Sequence, residues 1–288
     1  MTLTAKEQIT VRRVTPTIGA EITGIDLTDT SPENITQIND LLLEHGVLFF
    51  HDSMLETEQH LDLARSFGEL SIYPLEKIML KPEDEPQYLT DIIDHEDDPI
   101  KQGNWHTDVT WIDEPPKLGF LQAVDVPASG GDTLWADLYK AYDALSPVMQ
   151  NFLEGLTVNH RMSENLLHRI GRAAGQEFVQ KLLETFPTVQ HPMVRTHPET
   201  GRKALFIGGE FMLSIEGMHD DESQWLIKWL KHHITNPNFH VRWSWTNGDF
   251  VIWDERCTNH KALNDHQPSY RHIRRCTVDG DKPFYLDN

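Results

Sequence analysis

The segment Asn104-Trp105-His106-Thr107-Asp108-Val109-Thr110-Trp111 carries a histidine and a carboxylate two residues apart. In an extended strand, side chains at i and i+2 share a face. His106 and Asp108 would then point the same way, with Cα atoms about 6.5 Å apart. That is close enough for an imidazole and a carboxylate to converge on one metal ion. A second histidine is needed to complete a facial site. His260 is the candidate, beyond the apolar run Phe250-Val251-Ile252-Trp253. Two histidines and a carboxylate on one face of a metal leave three positions open, the arrangement of non-haem Fe(II) oxygenases. The same three ligands also permit zinc.

The elements that must position these residues read as mainly β with α. Short strands are expected between Ile9 and Leu27, and a helix from Ser31-Pro32 to Gly46, with serine as cap and proline at the first helical position. Val47-Leu48-Phe49-Phe50 reads as a buried strand, and a second helix is expected from Thr57 to Phe67. Residues 74–103 are acidic, contain proline and show little periodicity, which predicts a long loop and a candidate active-site lid. Strands are expected at Trp105–Trp111 and Leu118–Val126, a helical insertion over about 137–186, and an amphipathic helix at Asp220–Thr235. In that helix Trp225, Leu226, Trp229 and Leu230 form a core stripe and Asp220 is the candidate cap. Strands return at Ala204–Ile207, His240–Trp245, Asp249–Trp253 and Tyr270–Val278. Strands on both sides of helices suggest a jelly-roll core, a double-stranded β-helix with helices packed outside. Residues 1–288 show no repeat or linker and read as one domain.

The motifs NWHTDVTW, SGGDTLWAD, VRTHPETGRKALF, GDFVIWDERCTNHKA and RHIRRCTVDGDKPF occur in that order along the chain. Together they resemble the taurine dioxygenase (TauD/TfdA) family of Fe(II)/2-oxoglutarate-dependent dioxygenases, which includes alkylsulfatases and phenoxyalkanoate dioxygenases. The resemblance spans essentially the whole chain and implies a double-stranded β-helix. It implies Fe(II) as the metal and 2-oxoglutarate and O2 as co-substrates. His106, Asp108 and His260 then fall on the family's metal ligands, Thr133 and Arg271 on its 2-oxoglutarate residues, and Arg275 on its substrate-facing arginine. Tyr73 stands where taurine-cleaving members hold a histidine, Gln102 where they hold an asparagine, and Leu166 where they hold a phenylalanine; Phe211 retains the other pocket phenylalanine. These departures favour a larger or more apolar acid over taurine.

Physical reading of the arginines agrees with the resemblance. Along Tyr270–Cys276, Arg271, Ile273 and Arg275 share one face, the two arginines about 13 Å apart. Two inward arginines are costly without anionic partners, and a guanidinium fork meets a carboxylate with two charge-assisted hydrogen bonds. One can serve 2-oxoglutarate and the other an anionic substrate. Arg274 is expected on the exposed face, and Trp105, Trp111 and Trp135 in the barrel packing.

The expected reaction is hydroxylation of a small organic anion (a sulfonate, sulfate ester or carboxylic acid), coupled to conversion of 2-oxoglutarate to succinate and CO2. Desaturation or cyclisation in a natural-product pathway uses the same cofactor chemistry. A metal-binding jelly roll without catalysis is the reading from another class, but it leaves Thr133, Arg271 and Arg275 unexplained. Asp108 argues against halogenation, which needs its coordination position for halide. The chain has 45 acidic against 25 basic residues, a formal charge of −20 that disfavours nucleic acid and anionic membranes as partners. Two cysteines, no apolar run near the roughly 20 residues of a membrane helix, and no signal-like N-terminus predict a cytoplasmic enzyme. The family's frequent dimers and tetramers leave a homo-oligomer open.

Overall fold

The computed structural model describes residues 8–81, 83–94 and 103–287. Its frame is a seven-stranded sheet in the order Thr10–Arg13, Ala20–Thr23, Val47–Phe50, Phe250–Asp254, Leu118–Asp125, Arg271–Val278, Thr90–Asp94. Neighbours are antiparallel except Ala20–Thr23 beside Val47–Phe50. A three-stranded sheet, His240–Trp243, Thr133–Asp137, Thr258–Ala262, packs across it. This is the expected jelly roll.

The continuous apolar runs exist because both faces of the large sheet are covered. In Phe250–Asp254, Val251 and Trp253 point into the space between the sheets, with Phe49, Trp135, Val241 and Ile273. Phe250 and Ile252 point the other way, onto a core with Ile38, Leu42 and Leu61. Those last residues belong to the helices Pro32–His45 and Thr57–Arg65, which cover the outer face. Ser31 caps the first of these helices and Gly46, at φ +70°, ends it.

Several expectations change. Trp105–Trp111 is no strand: His106 makes a single bridge, and a turn begins at Asp108. The stretch 74–103 is not one loop, for it carries the helix Pro74–Met79 and the strand Thr90–Asp94. That strand hid behind its acidic residues because it is a sheet edge, where Asp91 meets His272 and Arg274 of the neighbouring strand at 2.8 and 3.0 Å. Arg274 is therefore partly buried and ion-paired rather than free in solvent. In the helix Asp220–His233 the cap is His219, and Trp225 is 62% exposed while Leu226, Ile227 and Leu230 form the buried stripe. The expected helical insertion contains the helices Leu138–Asp143, Pro147–Glu154, Glu164–Ala174 and Gln176–Thr185. It also holds a strand, Thr157–His160, paired with Val189–Pro192 and Met212–Ile215.

Gly119 makes room for the Trp253 indole, since a Cβ there would lie 2.0 Å from the ring. Trp253 in turn packs edge-on against His260, with ring centroids 5.4 Å apart. Gly119→Ala should therefore lower the unfolding free energy by about 1–3 kcal/mol, the usual cost of overpacking a core. Chemical denaturation measures this, and an unchanged midpoint would contradict the packing described.

Candidate metal centre and its cavity

His106 and His260 are joined through their backbones. The His106 N–H donates to the His260 carbonyl at 3.0 Å, and the His260 N–H returns the bond to His106 at 2.8 Å. Their rings lie 4.2 Å apart between centroids. Thr107 and Asn259 reinforce the junction: the Thr107 hydroxyl donates to Thr258 O at 2.9 Å, and Asn259 Nδ2 donates to Ile207 O at 2.6 Å. Gly209 permits the close approach on the other side, because a Cβ there would lie 2.4 Å from Trp105 O and 2.9 Å from His106 Cβ.

Asp108 is presented by the turn that follows. Val109 sits at φ +53°, a strained conformation for a β-branched residue. Buried histidines brace the turn. His191 Nε2 donates to Thr110 O at 2.9 Å and Ile112 O at 3.1 Å, and His160 Nδ1 lies 3.0 Å from the Thr110 hydroxyl. One ligand atom from each of His106, Asp108 and His260 falls within 4.8 Å of the others. His106 Nε2 is 3.4 Å from Asp108 Oδ1, and His260 Nε2 is 3.9 Å from Asp108 Oδ2. Two imidazoles and one carboxylate on one side of a cavity fit a divalent iron and leave its other side open.

The charge states suit ligation. Burial, helped by the neighbouring His106, pushes His260 down to about 3, so it is neutral with a lone pair available. Burial alone would raise the Asp108 carboxyl. The Arg275 guanidinium, with His260 and His106, outweighs this and holds it well below the usual carboxylate range. The Arg275 Nη2 makes a direct ion pair with Asp108 Oδ2.

A cavity of about 830 Å³ opens onto His106 and Asp108. Tyr73, Leu166, Phe211 and Arg275 all line it, so four of the residues proposed to meet substrate stand together. Gln102 lies outside the described residues. Trp111, expected in barrel packing, instead packs with Val109, Leu167 and Leu182 and walls the cavity, with Tyr73 edge-on to it at 6.5 Å. Trp135 lies between the sheets, as expected, whereas Trp105 packs outside the barrel, on a cluster that includes Leu138, Leu226 and Leu230. Both described flanks of 82 contribute to the wall, through Ser71–Pro74 and Gln87–Tyr88.

Thr133 and Arg271 do not line this cavity. Thr133 is buried between the sheets, two residues from Trp135, which pairs with His260; its hydroxyl accepts from Trp245 Nε1 at 3.0 Å. Arg271 is buried, and its Nε donates to Gly131 O at 3.0 Å. Burial pushes its guanidinium down to about 10, against the opposing pull of Asp94 and Asp132. Two residues of the site were not singled out from the sequence. Glu255 is fully buried, and its Oε2 accepts the Asp108 N–H at 3.2 Å. Arg169, on the helix Glu164–Ala174, lines the cavity mouth. The signal for Glu255 was its place in Asp254-Glu255-Arg256, a charged triplet closing an apolar strand.

The family model "Taurine catabolism dioxygenase TauD, TfdA family" matches residues 10–277. This chain belongs to the TauD/TfdA family. An alkylsulfatase of Acinetobacter baylyi is 35% identical over 96% of this chain and 86% of its own length. A crystal structure described as a putative alpha-ketoglutarate-dependent taurine dioxygenase from Burkholderia xenovorans superposes with a TM-score of 0.81. It is 34% identical, covering 98% of this chain and 96% of that one. The structure of AAD-2 in complex with Mn(II) and N-oxalylglycine superposes with a TM-score of 0.78 at 27% identity, covering 96% and 99%. Fe(II), 2-oxoglutarate and O2 are accordingly the cofactor and co-substrates of this TauD/TfdA protein, and the His106, Asp108, His260 set fits the metal.

Buried neutral histidines make the metal-free protein acid-sensitive. His60 and His260 are pushed to about 3 and His191 to about 4, each by burial first, from an ordinary value of 6.5. Each takes up a proton more readily when unfolded. Their contribution to stability is therefore complete above about pH 6.5 and is lost as pH falls toward 3. Unfolding free energy measured across that window should drop steadily, and a flat profile would rule out neutral burial of these rings.

Proposed function

We propose that this TauD/TfdA dioxygenase hydroxylates a small organic anion with an apolar body larger than that of taurine: a sulfate ester, sulfonate or carboxylic acid. The observation that carries this reading is the placement of Arg275 beside Asp108 in a cavity whose other walls include Tyr73, Val109, Trp111, Leu166 and Phe211. A cavity of this volume suits a drug-sized molecule. Arg275 has five N–H donors and spends one on Asp108, so its fork can also receive the anionic end of a substrate. The apolar wall holds the carbon body and excludes water.

Bound Fe(II), with 2-oxoglutarate and O2, supplies oxidation of a substrate C–H to C–OH, with succinate and CO2 as co-products. Asp108 and the two histidines would hold the metal beside the cavity. Arg271 and Thr133 are assigned to the far carboxylate of 2-oxoglutarate. Arg271 is buried with Asp94 and Asp132 nearby as counter-charge, and a co-substrate carboxylate would add a further anionic partner. Where the hydroxylated carbon carries a sulfate ester oxygen, its C–O bond breaks to give an aldehyde and release sulfate. The enzyme is placed in the cytoplasm, where two free buried thiols, Cys257 and Cys276, are at home.

Succinate release across a panel of alkyl sulfates, alkyl sulfonates and aryloxy acids, each with its neutral alcohol counterpart, tests the substrate class. Stoichiometric succinate is expected with at least one anion and little with its neutral counterpart; equal turnover of both would overturn the role of Arg275. Arg275→Ala should raise the substrate KM about tenfold or more, the usual cost of losing a hydrogen bond to a charged group. Its effect on the 2-oxoglutarate KM should be small. Arg271→Ala should do the reverse, and equal effects on both constants would refute that division.

A further inference from the structure

Two buried atoms beside the metal ligands face one another, and neither has a hydrogen-bond partner among the described residues. They are Oε1 of Glu255 and Nδ1 of His260, 3.8 Å apart. Glu255 is fully buried, in the turn between the strands Phe250–Asp254 and Thr258–Ala262. Its backbone is fixed there, with the N–H donating to Lys117 O at 2.9 Å. Its second oxygen, Oε2, accepts the backbone N–H of Asp108 at 3.2 Å.

The other histidine shows what such a ligand requires. His106 Nδ1 lies 2.7 Å from Asn104 O, and a carbonyl can only accept, so the proton is on Nδ1 and Nε2 is left for the metal. His260 also turns its Nε2 toward Asp108 and the metal position. Its Nδ1–H therefore needs an acceptor, and leaving a buried N–H without one costs about 1–3 kcal/mol. The Glu255 carboxyl is the group facing it.

We infer that Glu255 is a positioning residue for two of the three metal ligands, accepting the Nδ1–H of His260 and the backbone N–H of Asp108. Closing the gap to hydrogen-bond length needs a movement of about 1 Å, the scale of a small side-chain rotation of His260 or Glu255. A carboxyl behind a ligating imidazole fixes the tautomer and ring orientation and raises the basicity of the ligand nitrogen. This also accounts for a buried acidic side chain beside Asp108, which would otherwise be an unexplained burden on the fold. The inference rests on the metal-centre reading above.

The test uses Glu255→Met, which keeps the volume and removes both acceptors, and Glu255→Gln, which keeps one oxygen. Anaerobic calorimetry should show Fe(II) binding weakened about 10- to 100-fold in the methionine variant, with the glutamine variant in between. In the Co(II)-loaded protein, proton NMR should show two shifted, exchangeable imidazole N–H signals. The methionine variant should lose or broaden the His260 signal and keep that of His106. Metal affinity within twofold of the parent, or both signals intact, would overturn the assignment. A lower melting temperature with unchanged affinity would make Glu255 a packing residue only. Failure of the parent itself to bind metal would instead overturn the metal centre.

Discussion

The paired backbone hydrogen bonds between His106 and His260 connect a turn-forming segment to a strand about 150 residues further along the chain. Without them, the two imidazoles would be fixed by separate elements, and a carboxylate two residues from one would have no reason to meet the other. With them, ring separation, ligand spacing and the direction of the cavity follow from one junction. The rest of the fold can be seen as support for it. Trp253, seated over Gly119, packs against His260 from the sheet, Gly209 admits the His106 backbone, and His160 and His191 hold the turn that carries Asp108.

A site of this kind gathers buried polar groups that repel or desolvate one another, and the balance is resolved locally. His260 is neutral because burial favours its uncharged form. Asp108 stays ionised because Arg275 lies against it. Glu255 is pushed well above the usual carboxyl range by burial first and by Asp108 next. A similar logic runs through the turn behind the site. Asp254 accepts from Arg256 at 2.7 Å and lies 3.0 Å from His197, and Arg256 reaches Glu199 at 2.6 Å. That network holds the turn carrying Glu255, and so links the far side of the sheet to the metal ligands.

Much of this was legible in the sequence. The His-x-Asp spacing and the distal histidine offered a facial metal site, and the resemblance of the surrounding motifs to the TauD/TfdA family identified the chemistry. The buried strands were visible as apolar runs, since both their faces are covered. What misled was local pattern overruled by tertiary contact. His106-Thr107-Asp108-Val109-Thr110 alternates like a strand, yet Val109 takes φ +53° because the surrounding histidines and Asp108 demand a turn. The edge strand Thr90–Asp94 looked like loop because its acidic side chains find partners only in the folded chain, Asp91 with His272 and Arg274 and Asp94 with His266 and Gln267. Glu255 was passed over as a site residue, despite its charged triplet, because one acidic side chain in a turn ordinarily faces water, and only the three-dimensional crossing buries it.

The most direct measurement is anaerobic titration of the metal-free protein with Fe(II) and then 2-oxoglutarate, followed by visible absorption. A weak charge-transfer band that requires both additions, and that is absent in His260→Ala, is the result expected if His106, Asp108 and His260 hold iron with the co-substrate chelated to it. Tight metal binding with no band on adding 2-oxoglutarate would contradict the account, leaving a metal-binding jelly roll without the co-substrate chemistry.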